Sequence, residues 1–125
     1  MDVQLILHPT DGSEGARRAL DYATDLARDK RARLLVLHVQ QRHGRSRIPS
    51  EMEEFERIEQ FRLTEADLLR HDAENLVAHA ARAASARGAP NVETLVVEGD
   101  PAREIIETAK AKKSTTIVMG TRGIG

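Results

Sequence analysis

VQLILHPTDGSEGARRALDYATDLARDKRARLLVLHV, residues 3–39, decides the architecture. Its opening run, Val3-Gln4-Leu5-Ile6-Leu7-His8, is short and nearly continuous in hydrophobicity, the pattern of a strand covered on both faces of a parallel sheet. Pro9-Thr10-Asp11-Gly12-Ser13 follows, a cluster of turn formers. Ser13 reads as a helix N-cap, and Glu14 puts negative charge at the positive end of the helix dipole. Ala16, Ala19, Leu20, Ala23, Leu26 and Ala27 recur at helical spacing and predict a helix to about Asp29. Arg17, Arg18, Asp21, Asp25 and Arg28 form its solvated face. Leu34 to Val39 is a second apolar run. A strand, a helix and a strand with no room for a hairpin make a right-handed parallel βαβ unit.

Outward from this unit, Gln40 to Ser50 has no apolar period and reads as an exposed loop carrying Arg42, Arg45 and Arg47. Those arginines suit either a plain soluble loop or a lid over phosphates or a partner. Ser50-Glu51-Met52-Glu53 is a capping box that starts a helical piece. Met52, Phe55, Ile58 and Phe61 share one side of it, for core packing or a partner subunit. Thr64-Glu65-Ala66-Asp67 is a second start, after which Leu68, Leu69, Ala73, Leu76, Val77, Ala80 and Ala84 trace a long helix to Gly88. Two helices and one kinked helix both fit. Val92 to Glu98 is the third strand, and Gly99-Asp100-Pro101 supplies a turn, an N-cap and a proline at the first helical position. Ala102, Ile105, Ile106 and Ala109 predict that helix's buried stripe. Thr115 to Met119 is the fourth strand, running into Gly120-Thr121-Arg122-Gly123-Ile124-Gly125. The prediction is an α/β fold over residues 1–125 as one domain: an open, doubly wound parallel sheet.

Composition removes several function classes. Lys and Arg total 19 against 20 Asp and Glu, a formal charge of −1, so no global field exists to hold nucleic acid or an anionic membrane. Absence of cysteine excludes disulfides, thiolate zinc sites and thiol catalysis. No apolar run is long enough to span a bilayer, and the N-terminus lacks a basic n-region, so cytoplasm is the expected compartment. Aromatic residues make up 2% of the chain, too few for a base-stacking platform, and the core is therefore expected to be aliphatic. No P-loop, complete dinucleotide fingerprint or Gly-x-Ser-x-Gly elbow is present.

In open parallel sheets the ligand site lies beyond the carboxyl ends of the strands, where strand order reverses. Four segments are expected there: Pro9-Thr10-Asp11-Gly12, Val39-Gln40, Gly99-Asp100 and Gly120-Thr121-Arg122-Gly123. The Asp11 carboxylate is an acceptor suited to a ribose diol. Glycines at 120 and 123 leave backbone N–H groups open to phosphate oxygens. The same residues also suit plain turns: Asp11 with Gly12 and Ser13 could simply lead into the helix. His8 and His38, at strand ends, read as hydrogen-bonded structural histidines, because no third ligand at useful spacing makes a metal site. Asp67 and Asp72 read as a solvated charge face.

LILHPTDGSEGARRALDYATDLA, LLVLHV, VVEGDPAREIIETAK and IVMGTRGIG, in that order, resemble the universal stress protein family across nearly the whole chain. The resemblance implies an adenine nucleotide alpha hydrolase-like fold, ATP-binding in one branch and a nucleotide-free dimer in another. It implies that Pro9, Thr10 and Asp11 approach the ribose, that the Val39 backbone faces adenine, and that Met119, Gly120, Arg122 and Gly123 begin the phosphate-binding motif Gly-x2-Gly-x9-Gly-Ser/Thr. That motif's third glycine and hydroxyl neighbour fall beyond Gly125. His8 stands where an aliphatic residue is usual and Thr115 where an acidic one is common. The family pattern adds a last helix and strand, about 20–25 residues, so a longer polypeptide or a second chain is expected to complete the sheet. The implied function is a stress-related sensor or scaffold binding ATP or another adenine nucleotide, with at most slow hydrolysis. Mg²⁺ is compatible with the phosphates, although no protein ligand for it can be named. A homodimer and an unidentified protein partner are expected, without nucleic acid or membrane insertion. The alternative is a nucleotide-free dimerisation module acting through protein contacts; an α/β enzyme of the wider nucleotide-binding group lacks its motif residues.

Overall fold

The computed structural model describes residues 4–41 and 52–120, with the side chains of 52–64 not described. The Arg42–Arg47 loop, the Ser50 cap, the packing of Met52, Phe55, Ile58 and Phe61, and Thr121, Arg122 and Gly123 all lie outside what is described. Seven elements follow in order: β1 (Leu5–Pro9), α1 (Glu14–Lys30), β2 (Arg33–Gln40), α2 (Met52–Arg87), β3 (Asn91–Glu98), α3 (Pro101–Lys112) and β4 (Thr116–Ile117). The strands form one parallel sheet in the order β3-β2-β1-β4. Chain order therefore runs one way from β1 to β3 and jumps back to the far side of β1 for β4, an open α/β sheet with its reversal between β1 and β4.

Local chemistry sets the element ends. Ser13, in extended conformation, accepts a hydrogen bond from Ala16 N through Oγ at 3.2 Å and starts α1. Asp100 does the same for α3 through Arg103 N at 3.0 Å, with Pro101 in the first turn. Arg31 and Lys113, both left-handed at φ 53° and 56°, close α1 and α3. The stretch read as two helices or one kinked helix is a single helix, ended where Ala89 N reaches back to Ala84 O at 3.0 Å around Gly88.

Two apolar layers sandwich the sheet. Ile6, Leu34 and Val36 pack against Leu20, Ala23 and Ala27 of α1 and Val77, Ala80 and Ala84 of α2. Leu5, Leu7, Leu35 and Leu37 face the other way, with Ile105 and Ala109 of α3 packed on them. Among the described residues the apolar core is aliphatic, and each fully buried large aliphatic side chain is worth roughly 1.5–3 kcal/mol in transfer free energy. Arg87 at the end of α2 holds Asp25 of α1 at 2.7 Å and 3.1 Å. That bond keeps the Asp25 carboxyl below its ordinary range, but the pair is exposed and contributes little.

Four side chains depart from the expected stripes. Leu68 is 60% exposed and Ile106 52% exposed, whereas Thr24 is fully buried. On α3 the sheet-facing set is Ile105, Thr108 and Ala109, at helical spacing, and Ile106 lies roughly 100° away from Ile105 around the axis. Ala102 is likewise exposed. The fourth strand is also shorter than expected, because its ladder covers only Thr116 and Ile117. Val118 N still donates to Leu7 O at 2.9 Å. The next rung would need an N–H from Pro9, which has none.

Candidate functional site

The ends of β1, β2 and β4 open into a cavity of about 610 Å³, well inside the usual range for small-molecule sites, roughly 300–1,000 Å³. Pro9, Thr10 and Asp11 form one wall, Leu37 to Gln41 another, and Met119 and Gly120 a third. Leu69, Asp72, Ala73 and Leu76 of α2 close over it, while Pro101 and Ile105 of α3 bound the opposite side. The lining is mainly aliphatic, with polar groups at a few points, the usual make-up of a small-molecule pocket.

Three of the polar residues are held by local contacts. Asp11 Oδ1 accepts from Ser13 N at 2.9 Å, an Asx turn that leads into the α1 cap. The turn role anticipated for Asp11 is thus present, and it leaves the carboxylate exposed at the cavity. Thr10 N donates to Leu37 O at 2.8 Å, and His38 donates from Nδ1 to Thr10 O at 2.8 Å, so the β1 loop is pinned to β2. Gly120 meets the first turn of α1: a Cβ built on it would lie 2.5 Å from Gly15 C and 2.7 Å from Ala16 N. Backbone therefore lies against backbone at the base of the cavity.

His8 lies beneath these walls. Its ring is fully buried and donates from Nδ1 to Val118 O at 2.8 Å, filling the rung that Pro9 leaves open. Its Nε2 is buried with no hydrogen-bond partner among the described residues, as is the Thr24 hydroxyl. Burial lowers the His8 pKa from its ordinary value of about 6.5, opposed by the bond to Val118.

Of the residues singled out from sequence, Pro9, Thr10, Asp11, Val39, Met119 and Gly120 line this one cavity, whereas Arg122 and Gly123 lie outside the described residues. Asp100 does not line it, although the neighbouring Pro101 does. Sequence reading missed the α2 contribution. Leu69, Ala73 and Leu76 carry the signal, since they continue the stripe that buries Val77, Ala80 and Ala84; by sequence alone Asp72 reads as surface charge. A second concavity beside α3 carries Glu98, Asp100, Glu104 and Glu107 with Arg103. Among the described residues no group of three or more His, Asp or Glu could hold a metal ion.

A model of the universal stress protein family matches residues 3–125. A universal stress protein of Thermus aquaticus is 35% identical over 122 residues, covering 96% of this chain and 78% of that one. Among solved structures, a universal stress protein family member from Burkholderia pseudomallei superposes with a TM-score of 0.72 at 28% identity, over 94% of this chain and 81% of that one. The universal stress protein of Archaeoglobus fulgidus in complex with dAMP has the same fold, with a TM-score of 0.68 at 19% identity, over 94% and 80% of the two chains.

Proposed function

The chain belongs to the universal stress protein family, and from that membership we propose that its cavity binds ATP or a related adenine nucleotide. In this reading the protein is a stress-related sensor or regulatory scaffold rather than an efficient enzyme. One observation carries it: Asp11, Val39 and Gly120, from three strand ends, line a single crevice of nucleotide size at the sheet's reversal point. The Archaeoglobus protein's dAMP is that protein's ligand, and its likeness here is one of fold.

Electrostatics orient the ligand. Glu98, Asp100, Glu104 and Glu107 make the α3 side repel phosphates. The Gly120 side, against the first turn of α1, carries only Glu14 as an acidic residue in that turn, and receives the phosphates. Base and ribose then lie between Val39 and Asp11, under the aliphatic groups of α2. Mg²⁺, if it comes, is held chiefly by phosphate oxygens and water, since no protein cluster suits it among the described residues. Asp11 is assigned to the ribose and His38 is bound to the Thr10 carbonyl, and no group among the described residues is placed to activate water at the phosphates, so we read any hydrolysis as slow.

We read the protein as cytoplasmic and homodimeric; no helix among the described residues is long and apolar enough to cross a membrane. A second reading, a nucleotide-free dimerisation module, is favoured by exposed apolar groups on the α3 side. Ile106 is 52% exposed, and Ile117, in register with Leu7, is 42% exposed. Calorimetry with ATP, AMP and GTP separates the two. The nucleotide reading expects ATP and AMP to bind and GTP to bind at least about tenfold more weakly, because an adenine edge is read by the β2 backbone. No heat with any of the three, alongside a stable dimer in sedimentation, would leave the dimerisation module.

A further inference from the structure

We propose that His8 is a positioning residue: its neutral ring, donating from Nδ1 to the Val118 carbonyl, joins the two strand ends that carry opposite cavity walls, so that acidification loosens the site and weakens binding. The ligand side of this proposal rests on the nucleotide reading above; the structural side rests on the β1–β4 seam alone.

The seam is short. Only Ile6 with Thr116 and Leu7 with Ile117 are paired, flanked by Thr115 N to Leu5 O at 3.0 Å and Val118 N to Leu7 O at 2.9 Å. Beyond it, β1 delivers Pro9 to Asp11 and β4 delivers Met119 and Gly120, the two walls that must face one ligand. The rung nearest the cavity is the one that Pro9 cannot make, and His8 supplies it from its side chain. An aliphatic residue at this position would leave the Val118 carbonyl without that donor.

The same bond fixes the proton. A carbonyl only accepts, so Nδ1 carries the hydrogen and Nε2 is a lone pair, buried without a partner among the described residues. A second proton would place a charge where nothing receives it. The titratable groups carried at this end of the sheet are Asp11 after β1, His38 on β2, Glu14 and Arg17 in the first turn of α1, and Asp72 on α2. His38 is committed to Thr10 O through Nδ1, Asp11 accepts from Ser13 N, and all but His38 are exposed. The described part of β4 and the residues after it, to 120, carry none.

The sign follows from burial. The folded-state pKa of His8 lies below the unfolded value of about 6.5, so the unfolded or locally opened chain takes up the proton first as pH falls. The contribution of the neutral ring is fully present above about pH 6.5 and is lost progressively below it. Opening the two-pair seam breaks the bond to Val118 that fixes the ring.

The test is ATP affinity by calorimetry from about pH 7.5 to about pH 5, in the wild-type chain and in His8→Asn. The asparagine amide can donate to the Val118 carbonyl from the Nδ1 position without titrating. Comparing the two proteins cancels every ionisation they share, that of the nucleotide phosphates included, whose last ionisation lies near 6. Wild-type affinity is expected to fall about tenfold relative to His8→Asn across that range, one proton being linked to binding. Hydrogen-exchange protection of the Val118 amide, measured without ligand, is expected to fall with pH in the wild type only. Parallel affinity profiles, or Val118 protection independent of pH, would overturn the proposal. Absence of ATP binding at every pH in both proteins contradicts the nucleotide reading instead, and Val118 protection then decides the role of His8. Should His8→Asn fail to fold, the wild-type imidazole nitrogen shifts replace it: ring protonation with Val118 protection unchanged overturns the proposal, and protonation together with lost protection supports it.

Discussion

Gly120→Ala is expected to destabilise the fold by about 1–3 kcal/mol, and by more if the chain cannot shift, and to weaken nucleotide binding at least about tenfold. The added Cβ would lie 2.5 Å from Gly15 C, 2.6 Å from Gly15 O and 2.7 Å from Ala16 N. All three are backbone atoms inside the first turn of α1, so no rotamer change relieves the contact. Either the helix start or the end of β4 moves, and both belong to the cavity: Ser13 and Ala16 on one side, Met119 and Gly120 on the other. Gly12→Ala makes a useful contrast. Its Cβ would meet Leu76 Cδ1, the end of a flexible side chain, and its cost is chiefly the left-handed backbone at φ 80°, about 1–2 kcal/mol. Thermal and denaturant unfolding of the two variants, with ATP titrations of each, checks both parts. Wild-type stability and affinity in Gly120→Ala would contradict the packing described.

Asp11→Asn is expected to leave stability within about 0.5 kcal/mol and to lower ATP affinity by about one to two orders of magnitude. Asparagine keeps an Oδ1 to accept from Ser13 N, so the 2.9 Å Asx turn survives. What it loses is the negative charge and one set of lone pairs that, in the proposed site, accept from the ribose hydroxyls. A hydrogen bond to a charged group contributes roughly 1.5–3 kcal/mol, which converts to the stated loss. Asp11→Ala removes the turn as well, and is expected to show the same affinity loss with an added stability cost of about 1 kcal/mol. The pair of variants separates the two roles that this residue combines. Equal ATP affinity for the wild type and Asp11→Asn would remove Asp11 from the site.

Elements fixed by local chemistry were legible in the sequence. Ser13, Asp100 and Pro101 mark the starts of α1 and α3 through short-range hydrogen bonds, and the apolar runs at 5–9 and 33–40 leave little choice but buried parallel strands. What depends on packing between distant segments was not. The fate of residues 52–87 stayed open between two helices and one, because caps and periodicity inside that stretch allow both. Leu68 and Ile106 belong to apolar stripes by spacing, but lie beyond what the sheet covers. For the site, the general rule for open sheets already gathers Pro9 to Asp11, Val39 and Gly120 at one end. The α2 roof escaped that rule because nothing local says how far a helix overhangs the strand ends. His8 was read as a hydrogen-bonded strand-end histidine; only its alignment with Val118, 110 residues away in sequence, shows one nitrogen satisfied and the other bare.

The most direct test is to add ATP to the uniformly ¹⁵N-labelled protein and follow its backbone amide resonances. The account predicts that the largest shifts fall on Thr10, Asp11, Val39, Gln40, Met119 and Gly120, with the outer strand β3 and the far end of α1 unmoved. Shifts confined to other surfaces, or none at saturating ATP, would contradict a nucleotide site at the reversal of this sheet.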